Sequence, residues 1–312
     1  MYSLRLLWPY VLLALLLLQT CCDGYYSPLK SATRHNYNKI RHKSNNHNKL
    51  LYMTPSLISG TLSPTISYNL LLAKFSNSCV VNLFFFTILL LVKQKSLTQN
   101  GLFHSFLLGI GLWTFLGYEG WLLCVSYLVL GSLVTKIKMN YKKSLGIAEK
   151  RDGRRGPENV WGSAATAMVI AILTYLLPNK YYEILKIGYV ASLSTKLSDT
   201  FGSEIGKAYG KNTYLITTLK KVSKGTEGAV SIEGTVAGIV GGLIISSIGY
   251  LLGFIYNVKG FICVNAAAFI ACLFESYIGA SYQNGSIMTN EFVNLINTII
   301  GAIIAMGLYF IF

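Results

Sequence analysis

The chain is 312 residues long, with 53% hydrophobic residues, only 12% charged residues and a mean hydropathy of +0.48. A soluble domain carries about twice that charged fraction, so the composition excludes an ordinary soluble protein and predicts a polytopic membrane protein in a lipid bilayer. The formal net charge of +15 could suit nucleic-acid binding. No nucleic-acid-binding motif is visible, however, and we expect no nucleic-acid partner.

The first 63 residues are predicted to be a targeting leader in two parts. Residues 1–22 place Arg5 before an apolar core, which is typical of a signal sequence. Residues 23–63 are basic, rich in Asn, Ser and His, and resemble a transit peptide. This order resembles the leader of proteins sent to a plastid bounded by extra membranes (apicoplast-type), so a plastid membrane is the expected location. The endoplasmic reticulum membrane stays open as an alternative, as does a true first span followed by a basic tail.

The remaining residues, 64–312, are predicted to form one all-α bundle of seven or eight membrane spans, because backbone groups in lipid must pair within each segment. The apolar runs place these spans at 68–92, 101–117, 121–136, 159–177, 182–208, 235–256, 260–281 and 290–312. The basic loop at 138–160 should stay on the non-translocated side. Two spans separate this loop from the polar segment 207–233, and two more lead to residues 281–290. These three polar segments should therefore share one face of the membrane.

The fifth predicted span carries a polar face. At 100° per residue, one side of this helix presents Lys196, Asp199, Gly202, Gly206 and Gly210. Glu204 points away from that side and is only a possible site residue. Glycines at this spacing are also typical of helices that pack closely, which would explain the glycines but not Asp199. A carboxylate at membrane depth is costly, so we interpret Asp199 as functional.

A lysine- and glycine-rich segment follows this helix and predicts a phosphate site. Glycines let backbone amides approach phosphates, and lysines neutralise them. The residues predicted to bind a nucleotide are Gly206, Gly210, Lys220, Lys221, Gly225, Thr226 and Gly228. Mg²⁺ takes one or two carboxylates together with substrate phosphate oxygens, and its predicted ligands are Asp199, Glu227 and Glu233. We expect Asp199, Lys224 and Glu227 to carry phosphoryl transfer from a nucleoside triphosphate.

Two further groups of residues complete the predicted site. Arg154, Arg155 and Lys196 are expected to bind the phosphate of the acceptor substrate, whose apolar tail would lie among the helices. Glu275 stands where an apolar run gives way to polar residues. It is a possible partner of the site, although the same sequence pattern also fits a carboxylate at a helix end in water.

Four segments carry a resemblance to known families. An aspartate followed by small residues at helical spacing, then Lys-Lys and Gly-Thr-Glu-Gly, resembles the CTP-binding signature of the polyprenol kinases. Over residues 96–312, the strings RRGPENVWGSAA, ASLSTKLSDTFGSEIGKAYGK, TTLKKVSKGTEGAVSIEGTVAG and ESYIGASYQ are similar to the phytyl-phosphate kinases of the vitamin E pathway, in the transmembrane-protein-19-like family. The resemblance implies conversion of a prenyl monophosphate to the diphosphate, for isoprenoid salvage or prenylquinone and tocopherol synthesis.

The residues alone leave the donor, the prenyl chain and the reaction class open. Phytyl, geranylgeranyl and farnesyl phosphates all fit, and CTP is expected over UTP or ATP only because of the resemblance. A cytidylyltransferase that makes a CDP-lipid would need the same metal and nucleotide parts. A transporter could use Asp199 and Glu275 for ion coupling.

Overall fold

The computed structural model describes residues 64–282 and 289–312, all within one compact unit, Pro55–Phe312. The two predicted leader segments, 1–22 and 23–63, lie outside these described residues. Over the described ranges the chain forms an all-α bundle, as predicted, of helices α1 Pro64–Leu91, α2 Gln99–Thr135, α3 Met139–Ser144, α4 Pro157–Leu176, α5 Tyr182–Tyr209, α6 Ile232–Leu251, α7 Val258–Tyr282 and α8 Asn290–Ile311. A short antiparallel ribbon, β1 Tyr214–Leu215 with β2 Ala229–Val230, connects α5 to α6.

Six helices of the described ranges are long and apolar enough to cross a membrane, namely α1, α2, α4, α6, α7 and α8. The prediction of a polytopic bundle is therefore confirmed. The predicted count of seven or eight spans differs from six because of α2, which was predicted as two spans, and α5, which is too polar to qualify.

Helix α2 folds back on itself at Gly117, where φ is 80°. The Thr98 amide donates to the carbonyl of Arg155 (3.0 Å), and the guanidinium of the same arginine donates to the Tyr127 hydroxyl (2.6 Å). A straight helix would hold Thr98 and Tyr127 about 44 Å apart. The halves 99–116 and 118–135 are therefore separate helices, close to the two predicted spans, and glycine supplies the left-handed backbone of the bend.

Helix α5 lies at the centre of the bundle, in contact with α2, α4, α6, α7 and α8. Residues 185–198 along it are all buried. Near its first turns, Lys186 is buried and donates to the carbonyl of Gly253 and the hydroxyl of Tyr256. Because protein rather than lipid surrounds α5, its charged residues find partners there and the helix does not need an apolar surface.

Glycines bring α5 and α6 into close contact. A Cβ added at Gly234 would lie 2.6 Å from the carbonyl oxygen of Gly202, and one at Gly238 would lie 3.1 Å from that of Ser198. Side chains at these positions would push the helices apart. The packing interpretation of the glycine spacing is therefore the right one at this contact.

Two glycines assigned to nucleotide binding belong to the same contact. A Cβ at Gly206 would lie 3.4 Å from Oγ of Ser231, and one at Gly210, where α5 ends, would lie 2.9 Å from the same atom. Gly206 also borders the cavity described below, whereas Gly210 does not. The carbonyl oxygen of Gly206 and the side chain of Ser231, the N-cap of α6, occupy the space of a side chain at Gly210, so packing accounts for this glycine and its role in nucleotide binding stays a prediction.

The polar segments meet at one end of the bundle, as the span count predicts. The α3 segment is tied to α5 by a buried ion pair between Lys142 and Glu204. The starts of α4 and α8 are tied by a hydrogen bond from Asn159 to Glu291 (3.4 Å). Gly228 lies against the backbone of α7 near its end. These contacts surround a space between the loops and the ends of the helices.

Candidate active site

A cavity of about 280 Å³ opens among α5, α6, α7, α8 and the polar loops. Most of the predicted site residues line it: Arg154, Arg155, Lys196, Asp199, Glu204, Gly206, Lys224, Gly225, Thr226, Glu227, Gly228 and Glu275. Residues separated by more than a hundred positions in sequence thus share one space, and its position follows from the central helix and the loops that cover its end.

A buried ion pair lies at the floor of this cavity. Lys196 and Asp199 are paired one turn apart on α5, and Lys196 also donates to Oδ1 of Asn294 on α8 (2.6 Å). The lysine side chain is 8% exposed and the aspartate side chain 21% exposed. A buried charge is costly unless it is paired, so each group compensates the other, while Asp199 keeps the greater access to the cavity.

Glu275 joins this pair from α7. Its carboxylate accepts a hydrogen bond from the Asn297 amide and lies close enough to Asp199 and Lys196 for their charges to interact. The cluster therefore contains two carboxyl groups and one lysine, and it has an excess of negative charge if both carboxyl groups are ionised. Such a cluster favours an additional cation. The structure thus brings Glu275 to the site, as the sequence proposed.

Three basic side chains also line the cavity. They are Arg154, Arg155 and Lys224, and within the described residues none of the three forms an ion pair with a carboxylate. Arg155 instead donates to the hydroxyl of Tyr127, and Lys224 donates weakly to that of Tyr141 (3.4 Å). Their charges remain available to an anion, and phosphate is the anion that a guanidinium recognises best.

The turn Gly225–Gly228 forms the outer edge of the site. Its two glycines have φ of 83° and 71°, and neighbouring side chains and backbone fill the space where a Cβ would stand. The Thr226 hydroxyl donates to the Ser223 carbonyl (2.8 Å). These contacts account for the glycines through backbone conformation and packing, and they hold the turn over the cavity.

Glu227 projects from that turn towards the acidic cluster. Partial desolvation raises the pKa of its carboxyl group, the negative charges of Asp199 and Glu149 raise it further, and Lys207 opposes them. Glu227 is exposed on one side and lines the cavity on the other. A third carboxyl group thus faces the same space.

Three more predicted residues do not reach the cavity. They are Lys220, Lys221 and Glu233. The two lysines are exposed in the loop between β1 and β2. Glu233 lies in the first turn of α6 and accepts a hydrogen bond from the backbone of Lys211 (3.2 Å). Glu233 therefore lies outside the cavity, next to the end of α5, and its role as a metal ligand stays a prediction.

Glu204 lines the cavity but has a different partner. Its carboxylate pairs with Lys142, which is fully buried, and lies 3.9 Å from Nζ of Lys207. Lys142 also donates to the carbonyl of Thr135 (2.7 Å). This ion pair secures the loop after α2 to the central helix, and we interpret Glu204 as structural.

The carboxylates that line the cavity are compatible with a magnesium ion that takes its other ligands from a phosphate group and water. Among the described residues, no three His, Cys, Asp or Glu side chains are grouped to hold a metal by themselves. Asp199 and Glu227 both line the cavity. Mg²⁺ commonly takes only one or two protein carboxylates and completes its shell with phosphate oxygens and water, which matches this donor set.

Sequence reasoning missed Asn294, Asn297 and Tyr127. The two asparagines stand one turn apart in α8, and each contacts a charged group of the cluster, Lys196 or Glu275. Polar amides at i and i+3 inside an apolar run were the available signal. Tyr127 had no such signal, because its contact with Arg155 depends on how α2 folds back.

The fold and the cavity together define a polytopic membrane protein with a charged site beneath the polar end of its helices. The chain belongs to the family Integral membrane protein DUF92, whose model matches residues 82–302. No solved structure matches the chain.

Three relatives show how widely this similarity extends. The chain is 50% identical to Uncharacterized membrane protein sll0875 of Synechocystis sp. over 233 residues, which cover 74% of this chain and 90% of that protein. It is 45% identical to Protein VTE6, chloroplastic, of Arabidopsis thaliana over 215 residues, covering 67% and 64% respectively. Identity to Uncharacterized membrane protein MJ0933 of Methanocaldococcus jannaschii is 35% over 222 residues, covering 71% and 89%. The aligned part therefore spans somewhat less than two thirds of the Arabidopsis protein.

Proposed function

We propose that the protein is a prenyl-phosphate kinase of a plastid membrane, which transfers a phosphoryl group from a nucleoside triphosphate, preferably CTP, to a prenyl monophosphate. The observation that carries this proposal is one cavity lined both by a carboxylate cluster and by two arginines and a lysine that have no carboxylate partner among the described residues. The likeness to Protein VTE6, chloroplastic, and the motifs that resemble the phytyl-phosphate kinases support it.

The reaction needs little beyond charge neutralisation and positioning. An oxygen of the prenyl phosphate attacks the γ-phosphorus of the nucleotide, the bond from that phosphorus to the β-phosphate oxygen breaks, and a nucleoside diphosphate leaves. Since the acceptor is already ionised, no strong general base is required. The main obstacle is repulsion between two anions, which nearby cations and fixed geometry reduce.

Different residues would bind the acceptor phosphate and the nucleotide phosphates. Arg154, Arg155 and Lys196 would bind the acceptor phosphate in the cavity. Lys224 and the backbone of the Gly225–Gly228 turn would bind the nucleotide phosphates, which can enter from the polar end. This division places the lipid deeper than the nucleotide.

Asp199 and Glu227 would hold the Mg²⁺ that accompanies the nucleotide, and Glu275 would add negative charge beside them. When bound, this ion supplies neutralisation of the phosphate charges. The pairing of Lys196 with Asp199 keeps both charges compensated when no substrate is present. An anion beside Lys196 and a cation beside Asp199 would then give each group a new partner.

Product analysis tests the proposal. The purified protein is incubated in detergent with phytyl, geranylgeranyl or farnesyl monophosphate, Mg²⁺ and CTP, UTP or ATP in turn. We expect a prenyl diphosphate and a nucleoside diphosphate. A CDP-lipid with pyrophosphate would instead identify a cytidylyltransferase, and nucleotide-independent flux across vesicles would identify a transporter.

A further inference from the structure

Helices α6 and α7 are closed against each other at their deep end. The Asn265 amide donates to Oγ of Ser246 (2.8 Å), and a Cβ added at Gly242 would lie 3.7 Å from that of Ala268. The two helices run in opposite directions, since α6 begins and α7 ends at the cavity. The wall between them is therefore sealed in the half of the bundle away from the cavity.

The same two helices are also bridged at their polar end. The turn Gly225–Gly228 lies over α7, where Gly228 contacts the backbone of Ser276 and Ala280 so closely that no side chain would fit. A gap between α6 and α7 can therefore extend only from this bridge down to the contact between Gly242 and Ala268.

Apolar side chains border that gap. Ile239 of α6 is 44% exposed, and Phe269 and Leu273 of α7 are each 39% exposed, yet all three line the cavity. Ile239 lies seven residues into α6, or about 10 Å along its axis, and Leu273 lies about 13 Å before the end of α7. The border is thus at hydrocarbon depth, and an opening here joins the cavity to the lipid rather than to water.

We infer that this lateral window between α6 and α7 receives the apolar chain of the phosphate monoester substrate; the identity of that substrate rests on the proposed function. The phosphate would lie beside Lys196 and Arg155, and the chain would pass Ile239, Phe269 and Leu273 into the bilayer. The continuity of an apolar border with a basic interior matches an amphiphile with one charged end. Keeping the chain in lipid avoids moving its apolar surface through water.

This arrangement has a consequence for specificity. The border contacts only the carbons nearest the phosphate, and the rest of the chain remains in the bilayer. The window therefore requires an apolar chain but does not measure its length, so longer and shorter prenyl phosphates should bind alike once the border is spanned.

Photo-crosslinking tests the window without requiring catalysis. The full-length protein in lipid vesicles is illuminated with a prenyl monophosphate that carries a diazirine on its chain, and labelled peptides are mapped by mass spectrometry. We expect labelling at the window border, competition by unlabelled prenyl monophosphate, and a several-fold loss of labelling in Ile239→Trp. Leu273→Trp repeats the block from the other helix, so that a folding failure of one variant does not decide the result.

Ile262→Trp is the matched control. Ile262 is 60% exposed on α7 but lies outside the cavity lining, so its variant should label like the parent. Labelling that falls mainly on α1 or α8, or that survives both window variants in folded protein, would overturn the inference. Labelling at the window without diphosphate formation would support the window while rejecting the kinase proposal. Diphosphate formation with labelling insensitive to the window variants would reject the window alone.

Discussion

Replacing Asp199 with asparagine should stop phosphoryl transfer while leaving the bundle folded. The change keeps the side-chain volume and removes the charge that pairs with Lys196. Breaking a buried ion pair costs roughly 3–5 kcal/mol of stability. The cost should fall at or below the lower end of that range, because Lys196 keeps the oxygen of Asn294 at 2.6 Å and the nearby charge of Glu275.

The effect on the rate should be larger than the effect on folding. Removing one preorganised electrostatic group from a reacting centre lowers turnover by about 100- to 1000-fold, or about 3–4 kcal/mol. We expect a loss of at least this size in Asp199→Asn, with a weakened response to Mg²⁺. The assay follows prenyl diphosphate formation against Mg²⁺ concentration in detergent, beside thermal unfolding of each variant.

A double variant separates catalysis from charge compensation. If the loss in Asp199→Asn came only from leaving Lys196 unpaired, then combining it with Lys196→Gln, which removes both members of the ion pair and leaves Glu275 with the Asn297 amide, would recover the rate. We expect the double variant to remain folded and inactive, since Lys196 is proposed to bind the acceptor phosphate and Asp199 to hold the Mg²⁺. A parent-like rate and Mg²⁺ dependence in folded Asp199→Asn would refute the reasoning, as would recovery of activity in the double variant.

Three other predictions distinguish the residues of the cavity from their neighbours. Lys224→Ala should raise the KM for nucleotide about tenfold or more, because it removes a charged hydrogen bond. Lys220 lies outside the cavity, so Lys220→Ala should leave initial rates unchanged. Equal effects of the two substitutions would contradict the proposed role of Lys224. Glu204→Gln should lower the free energy of unfolding by about 3–5 kcal/mol, because it leaves a buried lysine unpaired, and an unshifted thermal transition would argue against it. Single cysteines at Ser144 and Ser223, in a cysteine-free background, should be labelled by an impermeant reagent from the same side of the membrane; labelling from opposite sides would exclude a shared face.

The sequence by itself determined the class of fold and singled out residues that line the central cavity. Long apolar runs can satisfy their backbone groups in lipid only as helices, so an all-α bundle followed from composition. Asp199 was identifiable because a carboxylate inside such a run is costly without a purpose. Lys224, Glu227 and the glycine turn were identifiable because their chemistry is concentrated within a few residues.

Only the tertiary structure decided which of the neighbouring polar residues enter the cavity. Glu233 lies outside the cavity and accepts a hydrogen bond from the Lys211 backbone, and Gly210 packs against the start of α6. Asn294 could be matched with Lys196 only once α8 lay beside α5, 98 positions away in sequence. Spacing along a chain defines the faces of a helix, but it does not say which neighbour covers each face. That choice depends on long-range packing, which also left the gap between α6 and α7.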